Sequence, residues 1–266
     1  MRRRVLLTLA VFIFTGCTRH ANEFPNGNWI DLSHDFSSDT IYWVNAEPFT
    51  RTTVAEGKTD KGYYYSAYNY AAAEHGGTHI DAPVHFAEGA KSVDQLDVNQ
   101  LIGPAVKVDV SAKAAGNRDY LITVDDIKAW ESANGQFPEW CIVLFQTGFS
   151  KYWPDKKDYL GTDQRGDAAA KDLHFPGLDP QAAKWLVENR KIKAVGIDTA
   201  SIDYGQSTTF DSHVALMTNN VPAFENVAGL DKLPAKGFHI IALPMNIKGG
   251  SGAPLRIVAF VASGDK

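Results

Sequence analysis

Residues 75–86 read His75-Gly-Gly-Thr-His79-Ile-Asp81-Ala-Pro83-Val-His85-Phe86, and the conformation given to them decides how the rest of the chain is read. Three of the chain's eight histidines lie in this stretch. His75 and His79 have the i, i+4 spacing of a helical metal pair, but Gly76, Gly77, Thr78, Ile80 and Pro83 all oppose a helix there. An extended chain suits these residues better. With a side-chain period of two, His75, His79, Asp81 and His85 project from one face of a strand, so that imidazoles and a carboxylate converge. The glycines, lacking Cβ, let the backbone come close to that point.

Imidazole nitrogen with carboxylate oxygen is a donor set for Zn²⁺ or Mn²⁺, as one ion or two. The cluster contains no thiol, and closed structural zinc sites usually recruit cysteine. An open, catalytic metal site is therefore expected.

Outward from this stretch, short runs rich in β-branched and aromatic residues predict strands at Trp29–Leu32, Gly62–Tyr70, Ala105–Val110, Cys141–Thr147, Ala194–Asp198, Phe238–Leu243 and Leu255–Val261. Helices fall between them. One starts at Thr123, an N-cap with Asp126 three residues on, and turns Ile127 and Trp130 to one side; another starts at Asp179-Pro180 and buries Ala182, Trp185 and Leu186. Strands alternating with helices indicate an α/β fold. No repeat or linker divides residues 29–266, which read as a single domain.

The composition, 44% hydrophobic and 21% charged over 266 residues, excludes long disorder and coiled coil. A net charge of −5, with no basic cluster beyond Arg2, Arg3 and Arg4, argues against nucleic acid as a partner. Residues 1–16 pair that basic start with an apolar run from Val5 to Phe14, too short to span a bilayer, and read as a signal peptide. Thr15-Gly16-Cys17 resembles the lipobox of bacterial lipoproteins, which makes Cys17 the lipidation site and residues 17–28 a lipidated tether. Loss of residues 1–16 leaves 23 basic against 31 acidic side chains, so the lipid, not charge, holds the chain at a membrane. The expected location is the periplasm of a Gram-negative bacterium, on the outer membrane because Thr18 is not the aspartate of an inner-membrane retention signal. Cys141, inside the apolar run Cys141–Phe145, reads as a buried small hydrophobe.

HGGTHIDAPVHF resembles the signature H-x-G-T-H-x-D-x-P-x-H-F of the cyclase family of metal-dependent hydrolases, which includes kynurenine formamidases and isatin hydrolases. Further similarities are Asp31-Leu-Ser-His34, Thr147-Gly148, Phe175-Pro-Gly-Leu-Asp179, Gly196-Ile-Asp-Thr199, Ser201-Ile-Asp203 and Gly-Gly-Ser-Gly-Ala-Pro-Leu-Arg256. The resemblance implies a swivelling β/β/α fold, with a mixed, barrel-like β core and outer helices, and a homodimer or larger assembly. It implies His75, His79 and Asp81 as metal ligands, with His213 and Glu225 completing the site or holding a second ion. It assigns His85 as general acid/base, a role that its ordinary pKa of ~6.5 suits. A metal-bound water with its pKa brought towards ~7 is the expected nucleophile. His34 is a candidate for support behind the ligands, and His239 for a structural role.

Trp43, Phe149, Tyr152 and Trp153, aromatics in loop-like stretches, are candidates for stacking on an aryl substrate. The leading reading is an arylformamidase that cleaves N-formylkynurenine or a related small aromatic amide. Opening of a cyclic amide, as in isatin hydrolases, is the rival. The chain's length leans towards that rival, and Glu225 leans away from it, since the resemblance implies an amide side chain there in isatin hydrolases. The third reading is a noncatalytic surface lipoprotein that binds metal or an aromatic ligand; retention of His85 argues against it.

Overall fold

The computed structural model describes residues 26–263; residues 1–16, Cys17 and most of the expected tether lie outside the described residues. Twelve strands are described: β1 (Gly27–Asp31), β2 (Thr50–Lys58), β3 (Tyr64–Ala71), β4 (His79–Asp81), β5 (Ile102–Asp109), β6 (Leu121–Ile122), β7 (Cys141–Gln146), β8 (Gly177–Leu178), β9 (Ile192–Ile197), β10 (Ala223–Glu225), β11 (Lys236–Pro244) and β12 (Gly252–Ala262). The α-helices are α1 (Val98–Leu101), α2 (Ser111–Gly116), α3 (Val124–Asn134), α4 (Lys156–Leu160), α5 (Pro180–Asn189) and α6 (Asp211–Met217). Strands β12, β11, β5, β7, β9, β10 and β4 lie edge to edge in that order, and β4 pairs back onto β12. A seven-stranded barrel is thereby closed, with β1 added to β12 outside the ring. The contacts from β5 through β7 and β9 to β10 are parallel and the others antiparallel. The fold is the mixed α/β barrel in one domain that the resemblance implied. Among the described residues no helix is long and apolar enough to cross a membrane.

Burial explains why the central strands were legible. Every residue of β7 is buried: Ile142 and Leu144 fill the barrel, while Val143 and Phe145 face the outer helices. A parallel strand covered on both faces reads as a continuous apolar run. Cys141 belongs to it, fully buried, and burial pushes its thiol up to about 12. Helix α5 starts where expected, with the Asp179 carboxylate accepting from Gln181 N at 2.7 Å and Pro180 in the first turn. It buries Ala182, Ala183 and Leu186, while Trp185 is only partly covered.

The structure departs from the sequence reading in three places. The motif does not run extended from His75 to His85: only His79–Asp81 is strand, and Pro83–His85 forms a 3₁₀ turn. Pro83 has no N–H for a ladder and its φ suits the first position of a turn, so the strand stops before it. The polar stretch Thr50–Lys58 forms β2, which sequence reasoning missed. Among the described residues it pairs only with β3, and the hairpin is mostly exposed, which removes the alternation that would have betrayed a half-buried strand. At the N-terminus, β1 begins at Gly27, two residues before the expected strand.

Helix α3 begins at a capping box in which Thr123 Oγ1 accepts from Asp126 N, and Asp126 Oδ2 accepts from Thr123 N at 2.8 Å. The buried Asp126 carboxylate also accepts from Tyr120 Oη at 2.8 Å and from Lys113 Nζ. Burial alone would raise its pKa, but these donors outweigh burial and hold it below the usual carboxylate range. A carboxyl depressed by folding stabilises the native state above its unfolded pKa of about 4 and loses that contribution as pH falls through the native value. Asp126→Asn is expected to cost about 1–3 kcal/mol at pH 7 by urea unfolding, with the gap to the parent narrowing towards pH 3. An equal gap at both pH values would contradict this role.

Candidate metal centre

The barrel closure assembles the site. Strand β4 lies between β10 and β12, with Glu225 opposite His79 on one side and Gly252 opposite Asp81 on the other. Because side chains alternate, Ile80 and Phe224 enter the barrel core while His79, Asp81 and Glu225 leave on the opposite face. His75 reaches the same point from the preceding loop. There Gly77 adopts φ +59°, a left-handed conformation, and a Cβ at Gly76 would lie 2.1 Å from the Tyr42 ring. His213 arrives on α6, whose entry residue Phe210 also has a left-handed φ of +52°. Gly77 thus serves the site through a turn, as the sequence suggested, whereas the close approach at Gly76 is to the Tyr42 ring and not to the ligands.

Asp81 is the hub. Its Oδ1 lies 2.6 Å from His75 Nδ1 and 3.1 Å from His79 Nε2, and its Oδ2 lies 3.1 Å from His213 Nε2. Glu225 faces the same nitrogens, at 3.2 Å from His213 Nε2 and 3.5 Å from His79 Nε2, while Ile202 N donates to its Oε1 at 2.7 Å. All of these except His75 are buried. Burial would raise the Asp81 carboxyl, but the imidazoles of His79 and His75 pull it well below the usual range. Glu225 is pushed up by burial and by the charge of Asp81. Burial would lower His79, yet Asp81 and Glu225 outweigh it and hold His79 up at about 9. The cage therefore favours positive charge.

These residues fit a divalent cation. His79 Nε2 is fully buried and has no hydrogen-bond partner, although it points between two carboxylates. A buried polar atom left so is costly unless something absent from the protein atoms takes its lone pair. Ligand atoms of His79, Asp81 and Glu225 lie within 4.8 Å of one another, and so do those of His75, Asp81 and His85, with Asp81 shared. Oxygen and nitrogen donors without thiolate suit Zn²⁺ or Mn²⁺.

His85 stands beside the cage on its 3₁₀ turn, its ring stacked on His75 at 3.8 Å. Burial lowers its pKa to about 4, so its imidazole is neutral at neutral pH. Above the cage lies a cavity of about 260 Å³. Its walls include Ile41, Tyr42, Trp43, Phe86 and Phe210, and its floor is His75, His79, Asp81, His85, His213 and Glu225. Phe86 stacks on His213 at 4.4 Å and lies 5.3 Å from Phe210.

Trp43 is thus at the cavity, but Phe149 and Trp153 are not. Phe149 is buried in the apolar cluster behind the cavity wall, which also includes Ile41, and Trp153 stacks on His34 at 4.0 Å. Both follow the Thr147-Gly148 turn, which the Asp198 carboxylate ties down by accepting from both backbone amides. Their rings consequently pack inward. His34 does not touch the cage; its N–H donates to Thr78 Oγ1 at 2.8 Å, beside His79. His239 is exposed on β11. Sequence reasoning gave no role to Asp203, which accepts from His213 Nδ1 at 2.6 Å and from the amides of Ser212 and His213 at 3.1 Å. Only its place in Ser201-Ile-Asp203 hinted at a function.

Residues 30–204 match the family described as Putative cyclase. The chain is 34% identical over 248 residues to an isatin hydrolase of Roseibium aggregatum, covering 89% of this chain and 88% of that protein. To a kynurenine formamidase of Salinibacter ruber it is 29% identical, covering 86% and 95%. The solved structure of isatin hydrolase A from Labrenzia aggregata, bound to benzyl benzoate, superposes with a TM-score of 0.79 at 33% identity, over 89% of this chain and 94% of that one. A closed barrel, a buried cage of nitrogen and oxygen donors, and these likenesses agree: the chain belongs to the cyclase family and is a metal-dependent hydrolase.

Proposed function

We propose that the chain hydrolyses the amide bond of a small aromatic substrate, and that the cage of His75, His79, Asp81, His213 and Glu225 holds the Zn²⁺ or Mn²⁺ that the reaction needs. The observation that carries this is the placement of the cage at the floor of a cavity walled by Tyr42, Trp43, Phe86 and Phe210. A divalent cation there would acidify water and polarise a carbonyl. The remaining work falls to the protein. Neutral His85 accepts the proton of the attacking water and returns it to the departing nitrogen, which needs a base that is uncharged at rest. The aromatic walls bind the aryl ring and exclude water, which strengthens the electrostatics of the floor.

For the substrate, opening of a cyclic aryl amide and cleavage of an N-formyl aryl amide stand side by side. The isatin hydrolases among the relatives support the first. Glu225, a carboxylate where the sequence reading expects an amide in that branch, supports the second. Absorbance assays of the zinc- and manganese-loaded chain with isatin and with N-formylkynurenine decide between them. Turnover of one substrate assigns the branch, and turnover of neither, with metal bound, overturns the aryl-amide proposal.

Two substitutions separate the roles. His85→Ala is expected to retain metal, measured by elemental analysis, and to lose about 10²–10⁴-fold in kcat. Asp81→Asn is expected to lose both metal and activity, and full occupancy in that variant would remove Asp81 from the ligands.

The same proposal places the protein in the periplasm, held by lipid on Cys17 to the outer membrane of a Gram-negative bacterium, and working as a homodimer or larger assembly. The support for the anchor is the signal-like segment that ends at Cys17. Radiolabelled palmitate should enter the chain expressed in a Gram-negative host, and Cys17→Ser should abolish the label; unchanged labelling would exclude Cys17 as the acceptor.

A further inference from the structure

Each imidazole of the cage has one ring nitrogen already committed elsewhere, and the partners fix which nitrogen is left. His79 Nδ1 lies 2.9 Å from Gly77 O. A carbonyl only accepts, so Nδ1 carries a proton, and with a cation bound the coordinating lone pair falls to Nε2. His213 Nδ1 lies 2.6 Å from Asp203 Oδ2, again an acceptor, so Nε2 is likewise the nitrogen left for a cation. In both residues the free Nε2 faces Asp81 and Glu225.

His75 is reversed. Its Nδ1 faces Asp81 Oδ1 at 2.6 Å, and its Nε2 lies 2.8 Å from Ser251 Oγ. A hydroxyl can donate or accept, so this contact alone assigns nothing. Glu74 supplies the missing constraint. Its Oε2 lies 2.8 Å from Ser251 Oγ and accepts from the amides of Ser251 at 2.9 Å and Gly252 at 3.3 Å. A carboxylate only accepts, so the single hydroxyl proton of Ser251 goes to Glu74. Ser251 Oγ must then accept from His75 Nε2–H, which leaves the lone pair on Nδ1.

Packing holds the ring in this pose. Gly252 stands opposite Asp81 in the ladder, and a Cβ there would lie 2.4 Å from His75 Cε1. The ring occupies the space that any other residue at 252 would fill.

We infer that Glu74 and Ser251 are positioning residues that make His75 an Nδ1 ligand, opposite in sense to His79 and His213, which present Nε2. The negative charge of Glu74, relayed through the Ser251 hydroxyl, strengthens the donor at Nδ1. Both act through His75 and touch neither substrate nor metal. The inference rests on the metal-site reading above and adds to it the tautomer of each ligand and the residues that impose it.

The test is long-range ¹H–¹⁵N NMR of the full chain with ¹⁵N-labelled histidine, loaded with Zn²⁺, the His75 pattern being assigned by its loss in His75→Asn. His75 is expected to show a protonated Nε2 and a metal-bound Nδ1, and His79 and His213 the converse. Zinc affinity, measured by competition with a chromophoric chelator, should fall about 10–100-fold in Ser251→Ala and Glu74→Gln and recover in Ser251→Thr, which restores the hydroxyl. Failure of the parent chain to take up zinc would overturn the metal-site reading. Zinc uptake with a protonated Nδ1 on His75, or parent affinity in Ser251→Ala, would overturn the relay while leaving the metal site in place.

Discussion

Two carboxylates buried side by side are the constraint around which this structure is organised. Asp81 and Glu225 are 1% and 4% exposed, and the ion pairs they make among the described residues are all with imidazoles, none with lysine or arginine. Removing a carboxylate from water costs several kcal/mol unless charge and hydrogen bonds compensate it, and two that share a site repel each other as well. Imidazoles compensate partly, and a divalent cation held by these residues would complete the balance. The arrangement is poor as a stabilising device and good as a receptor for positive charge. That difference marks it as a functional site.

The barrel makes this arrangement rigid. Strand β4 is only three residues long, but it is paired on both edges, so its register is fixed twice. A slip by one residue would turn His79 and Asp81 into the apolar interior and expel Ile80, which the core does not permit. The ligands from β4 and β10 are therefore as well placed as the barrel wall itself. His213 has a different support: α6 is short and starts from a strained residue, and the Asp203 carboxylate holds its first amides and the His213 ring together. One side chain thus replaces the cap that the helix lacks and orients the imidazole.

What was legible in the sequence follows from where local pattern and tertiary role coincide. The strands of the barrel centre and the two capped helices obey local rules, because Thr123 with Asp126 and Asp179 with Pro180 act within one turn. The motif from His75 to His85 was legible in its chemistry but not in its shape. Convergence comes from a glycine turn, a short strand and a proline-led 3₁₀ turn, where a continuous strand was expected. Strand β10 and helix α6 were invisible because each is short and owes its form to its neighbours. Asp203 and Ser251 act across the fold, 10 and 176 residues from the histidines they hold, so no spacing rule could find them. Aromatics in loop-like stretches gave the weakest signal: Trp43 reaches the cavity, while Phe149 and Trp153 stay in the cluster behind it.

The four histidines of the site show how one residue type takes different roles through environment alone. In His79 and His213 carboxylates outweigh burial and raise both rings above the ordinary histidine value: Asp81 and Glu225 act on His79, and Asp203, with Asp81 and Glu225, acts on His213. His85 is half-buried and makes no hydrogen bond to a carboxylate; its neighbours are the rings of His75 and Phe86, and desolvation prevails over the charge of Asp81. Rings pulled towards positive charge belong with a cation, whereas a ring held neutral has a free lone pair for a proton. The separation of ligand from proton carrier therefore follows the carboxylate contacts that His79 and His213 make and His85 lacks. The short β4 and the turn after it impose that difference: Pro83 ends the strand, and His85 joins the cavity floor from a 3₁₀ turn instead of from the strand. A continuous strand would have put His85 on the face of the ligands and removed the distinction.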